Sequence, residues 1–138
     1  MYTRENMIKF AGNNFEDIFN SLGKREQGSL LGVITENFIV NKRNAQGTDV
    51  SGSDMIENNK TKEIKSCYSL NSGVARYGNI SSKKDKCDSF VFIDGVNNKE
   101  YEIPHDVVFN EMKITEASGG EIRATKYNMP IFSKYEIK

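Results

Sequence analysis

The stretch Gly52-Ser53-Asp54-Met55-Ile56-Glu57-Asn58-Asn59-Lys60-Thr61-Lys62-Glu63-Ile64-Lys65-Ser66 decides the fold of this chain. Its two arms, Ser53–Glu57 and Thr61–Tyr68, have the extended pattern of strands, and Asn58-Asn59 supplies a tight two-residue turn between them. A two-residue turn pairs 57 with 60, 56 with 61, 55 with 62 and 54 with 63. Asp54 and Glu63 then lie opposite each other, with Cβ atoms roughly 4.5–5.5 Å apart. Lys65 is two residues further along the same strand, on the face of Glu63. Like charges so placed repel, and a divalent cation turns the repulsion into a ligand set. Carboxylate oxygens suit Mg²⁺, with Mn²⁺ as the alternative. A neighbouring ammonium group suits stabilisation of charge developing on phosphorus. Glu-x-Lys recurs at Glu111-Met112-Lys113 and Glu136-Ile137-Lys138, but neither has an upstream Asp across a turn.

Outward from the hairpin, Ser89-Phe90-Val91-Phe92-Ile93 reads as a buried strand. Gly95–Asn98 turns the chain, Glu100–Ile103 returns as its partner, and Pro104 ends that partner. Upstream, Ile8, Ala11, Phe15, Ile18 and Leu22 form a helical stripe over 5–22. Gly12-Asn13-Asn14 interrupts it, with Asn13 or Asn14 as a cap for a second short helix, and Gly23 supplies a stop. A further helix is predicted over 29–41. Gln46 to Gly52 and residues 69–88 are predicted as loops, the second with room for one helical turn. Asp106 is placed to cap a helix over 107–113, and Glu121–Tyr127 and Ile131-Phe132 are predicted strands. The expectation is a single α/β domain with a mixed α+β sheet over residues 1–138: helical 1–45, the hairpin 50–68, the remaining sheet 89–138.

At 138 residues the chain has the length of one domain. It carries 19 basic and 19 acidic side chains. That balance is uneven along the chain. Residues 1–36 hold 4 basic and 5 acidic groups, residues 37–88 hold 9 and 6, and residues 89–138 hold 6 and 8. The positive excess falls in the segment with the hairpin. Arg76 and Tyr77, and the run Lys83-Lys84-Asp85-Lys86, are the candidate nucleic-acid contacts: Arg76, Lys83, Lys84 and Lys86 for phosphates, with Arg76 and Tyr77 also able to reach or stack on bases. Ser69, Asn71 and Ser72 are candidate polar contacts.

Cys67 and Cys87 form no Cys-x-x-Cys, and with the single His105 they make no zinc set. The expectation is two free thiols and a structural His105. A histidine triad is improbable. No apolar run approaches the roughly 18 residues of a membrane span, and the first residues lack a signal-peptide layout. The expected location is cytoplasmic, in a bacterial or phage-infected host cell, with no membrane partner.

Gly-x-Asp, a short hairpin and Glu-Ile-Lys-Ser together resemble the core of the PD-(D/E)XK nucleases, which include restriction endonucleases, Holliday-junction resolvases and phage nucleases. The resemblance covers roughly residues 29–108, with Ser53 standing where the family often has proline. It implies a restriction-endonuclease-like αβββαβ core. It implies Asp54 and Glu63 as metal ligands, Lys65 as the catalytic lysine and Glu36 as a further carboxylate from the preceding helix. Asp49 is a second-choice ligand. The implied function is a Mg²⁺-dependent DNA endonuclease acting as a homodimer, one strand cut by each site. The alternative is a non-catalytic nucleic-acid- or protein-binding accessory domain on a nuclease-like fold.

Overall fold

A computed structural model describes residues 1–12, 15–48 and 53–138. Three helices come first: α1 (Arg4–Ala11), α2 (Phe15–Asn20) and α3 (Lys24–Lys42). The strands and later helices follow as β1 (Gln46–Gly47), β2 (Met55–Glu57), β3 (Lys60–Cys67), β4 (Arg76–Tyr77), β5 (Ser89–Asp94), β6 (Lys99–Pro104), α4 (His105–Glu111), β7 (Ile114–Thr115), β8 (Glu121–Arg123), α5 (Met129–Lys134) and β9 (Glu136–Ile137).

The main sheet has six strands in the order β1-β2-β3-β5-β6-β9. It is mixed: β3 and β5 run parallel, and every other neighbour is antiparallel. The connection from β3 to β5 is the 68–88 segment, which contributes β4 to a small second sheet, β4-β8-β7.

The hairpin forms in the expected register. Glu57 pairs with Lys60, Ile56 with Thr61 and Met55 with Lys62. Asn58 and Asn59 both take positive φ, 52° and 64°. Asparagine tolerates that conformation, and it matches the twist of the flanking strands.

Strand β5 is buried along its whole length and sorts two cores by its alternation. Phe90 and Phe92 face one layer, with Tyr77, Ile80, Ile103, Val108, Ile122 and Phe132. Val91 and Ile93 face the other, with Met55, Ile64 and the helical residues Met7, Phe19, Leu31, Ile34 and Ile39. Strand β3 continues the pattern. Ile64 packs towards the helices, while Glu63, Lys65 and Cys67 pair with Phe90, Phe92 and Asp94.

Ion pairs lock the end of α3 to the hairpin. Arg43 reaches Glu57 at 3.1 Å, Glu100 at 2.5 Å and Glu102 at 2.6 Å, and Lys62 reaches Glu57 at 2.6 Å and Glu102 at 2.8 Å.

Several local expectations are corrected. Helix α3 begins at Lys24, because Gly23 acts as its N-cap instead of as a stop for the helix before it. The helical stripe forms two helices, as expected, and α1 is capped by Thr3, whose Oγ1 accepts the Asn6 N–H. Asn13 and Asn14, and with them the expected cap, lie outside the described residues. Part of the predicted 46–52 loop is strand β1. Helix α4 starts at His105, with Asp106 in its first turn and Pro104 as N-cap. Ile131-Phe132 lies in α5, where Pro130 opens the helix. Only 121–123 of the predicted 121–127 strand is extended. No helix among the described residues is long and apolar enough to cross a membrane.

Candidate active site

The site forms where β2 ends and β3 continues. Beyond Met55 the first strand stops, and Asp54 takes over the ladder with its side chain. The Asp54 N–H donates to the Lys62 carbonyl at 2.8 Å, and Asp54 Oδ2 accepts the Ile64 N–H at 2.8 Å. A carboxylate therefore occupies the place of a strand carbonyl, which fixes its position without a second strand.

Glu63 extends from the next position of β3 and is buried, with 8% of its surface exposed. The two Asp54 bonds, to the Lys62 carbonyl and the Ile64 N–H, bracket Glu63 and set its carboxyl beside that of Asp54. Burial, then the contact with Asp54 and its charge, push the Glu63 carboxyl up to about 9, with Lys65 opposing the shift. Lys65 lies two residues on, and its Nζ donates to the Asn79 carbonyl at 3.1 Å. One of three ammonium hydrogens is used in that bond.

Helix α3 adds Glu36. Burial and the charge of Asp54 raise its carboxyl to about 7, while Lys65 opposes. Glu36, Asp54, Glu63 and Lys65 thus share one electrostatic environment, assembled from α3, the residue before β2, and β3. Asp49 lies outside the described residues.

Lys65 is held by a segment whose own path needs a glycine. Ile80 N–H donates to the Gly120 carbonyl at 2.9 Å. Gly120 has φ +103°, and a Cβ there would stand 2.0 Å from the Ile80 carbonyl oxygen.

The candidate DNA contacts divide. Lys83, Lys84 and Lys86 are exposed on the turn before β5. Arg76 is half-buried, with its guanidinium 3.7 Å from Glu121 and its Nε without a partner. It lines an open cleft of about 490 Å³ together with Ser66, Ser69, Asn71 and Glu121. Tyr77 does not fit the expected role. It is 2% exposed and packs edge-on against Phe92 at 4.9 Å, so its ring is core and has no face for a base. Ser69, Asn71 and Ser72 are exposed. Cys67 and Cys87 are free and buried, and the His105 ring lies against Phe109.

The sequence reading missed Asp85. It sat within a lysine run that looked like a solvated loop, yet it is fully buried and among the groups that push the Glu63 carboxyl up. Its signal was faint: one acid among three lysines, two residues before the apolar Cys87.

An oxygen-only donor set of contacting carboxylates fits Mg²⁺, which binds through one or two protein carboxylates and completes its shell with water and phosphate oxygens. Among the described residues, no group of three or more His, Cys, Asp or Glu side chains is arranged to hold an ion by itself.

No family model matches the chain, and no curated protein matches it. Among solved structures, a bacterial homing endonuclease, I-Ssp6803I, superposes with a TM-score of 0.56 at 15% identity, over 83% of this chain and 88% of that one. At that identity the likeness is one of fold, and the mixed α/β architecture described here is shared with a nuclease.

Proposed function

We propose that this chain is a Mg²⁺-dependent DNA endonuclease that hydrolyses phosphodiester bonds, with Mn²⁺ able to substitute. The observation that carries the reading is Asp54 bonded to β3 on either side of Glu63, through the Lys62 carbonyl and the Ile64 N–H, with Lys65 two residues along the same strand. The fold shared with a homing endonuclease supports it. So does the resemblance of Gly52-Ser53-Asp54 and Glu63-Ile64-Lys65 to the PD-(D/E)XK motif, on whose αβββαβ core we read α3, β2, β3 and the strands after them.

In this reading Asp54 and Glu63 hold the metal, and Glu36 contributes from α3. The metal, when bound, supplies a Lewis acid for the phosphate and an activated water. Lys65 stabilises the charge that develops on the phosphate oxygens, and its bond to the Asn79 carbonyl holds the ammonium in place. Arg76, Lys83, Lys84 and Lys86 grip the DNA backbone. A homodimer brings two such sites to the two strands.

The test is cleavage of plasmid, linear and branched DNA with and without Mg²⁺, using the parent, D54A and K65A. Metal-dependent cutting by the parent and its loss in both variants is the expected result. Equal cutting by all three refutes the assignment.

A second reading, a non-catalytic nucleic-acid- or protein-binding domain on this fold, draws on the lack of a three-donor group among the described residues. It predicts DNA retention in gel shifts with no heat of Mg²⁺ or Mn²⁺ binding.

A further inference from the structure

Asp85 has a placement that the proposed chemistry does not yet use. It is fully buried, and one oxygen is accounted for: Oδ2 accepts the Ser81 N–H at 2.8 Å. Oδ1 is buried without a donor. A buried carboxylate oxygen with no N–H or O–H donor from the surrounding turn is costly and calls for a partner. The group beside it is Glu63: the segment leading into the turn lies along β3, where the Asn79 carbonyl accepts Lys65 Nζ, and the Asp85 carboxyl acts on that of Glu63.

The turn around Asp85 is built to hold it there. The Asp85 and Lys84 N–H groups both donate to the Ser81 carbonyl, at 2.8 and 3.2 Å, and the Lys83 N–H donates to Ser81 Oγ at 3.2 Å. The Asp85 carbonyl meets His105 Nε2 at 3.1 Å. The same turn points Lys83, Lys84 and Lys86 outward.

We propose that Asp85 is a positioning residue, whose buried carboxyl fixes the orientation of Glu63 and ties the lysine-bearing 81–86 turn to the metal-binding carboxylates. The inference rests on the nuclease reading for its metal. What it adds is an outer partner for Glu63 on the turn that carries the exposed Lys83, Lys84 and Lys86. Outer partners of metal ligands characteristically alter metal affinity by about 10–100-fold.

The experiment is calorimetric titration of Mn²⁺ into the full chain, without DNA, comparing the parent with D85A and D85N, each checked for folding by its melting temperature. Asn keeps the shape, accepts the Ser81 N–H and offers an N–H to Glu63. The expected result is a loss of about 10-fold or more in Mn²⁺ affinity for D85A, with D85N within about 3-fold of the parent. If D85A does not fold, D85S replaces it, because a hydroxyl on so short a side chain does not reach Ser81 and Glu63 together. A folded D85A or D85S that binds Mn²⁺ within about 3-fold of the parent overturns the proposal while leaving the nuclease reading intact. A parent that takes up no Mn²⁺ overturns both.

Discussion

The Asp54 carboxylate accepts the backbone N–H of Ile64 at 2.8 Å, so a side chain completes the β3 ladder where its partner strand has ended. This bond gives Asp54 a structural duty beside the metal-binding one we propose for it. D54A leaves the Ile64 N–H without its acceptor and is expected to cost about 1–3 kcal/mol in urea unfolding. D54N keeps an acceptor oxygen and is expected to lose less than half of that. Both variants are expected to lose Mg²⁺ uptake, so stability and metal binding separate in the Asn variant.

Glu63 makes stability depend on pH. Its carboxyl titrates near 9 in the folded chain, against an ordinary value of 4.5. Below about pH 4.5 folded and unfolded states both hold the proton. Between there and about 9 the folded state keeps a proton that the unfolded state has released, so stability falls as pH rises. E63Q removes this dependence. In metal-free buffer it is expected to melt above the parent at pH 8, by about 2 kcal/mol or more, and to match it near pH 4. A parent and variant with parallel melting curves against pH refute the placement of Glu63 as a buried, proton-holding carboxyl.

Lys65 is expected to matter for rate alone. K65A loses one bond to a backbone carbonyl and is predicted to melt within about 1 kcal/mol of the parent. Its cleavage rate is expected to fall by about 10²–10³-fold, the range for removing one preorganised donor to a developing charge. Single-turnover cleavage at saturating Mg²⁺ measures it. A K65A protein that cuts at the parental rate refutes the role.

The basic side chains are separable by salt. R76A, K83A and K84A are each expected to weaken DNA binding, and each lost phosphate contact lowers the slope of log affinity against log salt by about 1. Y77F is expected to leave DNA affinity unchanged, since the ring lies in the core. Fluorescence anisotropy across a salt series reads all four.

Arg43 serves three carboxylates, Glu57, Glu100 and Glu102. R43A strands these charges in a half-buried site and is expected to cost about 3–5 kcal/mol, among the largest losses for any single substitution here. Equilibrium unfolding in urea checks it.

Much of the site was readable because local chemistry settled it. Asn58-Asn59 accepts two positive φ angles, and that dictates which residues face each other on β2 and β3. The Phe90–Ile93 run could only be a buried strand between two cores. Other features were settled by distant partners. Arg76-Tyr77 makes a strand of two residues only because β8 lies alongside, and Tyr77 is drawn into the core by Phe92 and Phe132. Ile131-Phe132 fits a strand or a helix by pattern, and Pro130 at the helix start decides between them. Asp85 is buried by a turn whose closing bonds all come from Ser81, four residues away, and no periodicity announces such a turn.

The two-residue length of the Asn58-Asn59 turn makes chemistry and folding inseparable in this hairpin. Side chains alternate along β3, so Ile64 fills the helical core while Glu63 and Lys65 look the other way. Adding or removing one residue at the turn shifts the pairing by one step. A single-residue slip that kept Asp54 beside β3 would set Ile64 against it and bury a charged neighbour among Leu31, Ile34 and Ile39. Insertions of odd length are therefore expected to be costly twice, once in the core and once in the proposed site. Only changes in pairs leave the parity of the strand, and with it the carboxylate pair, in place.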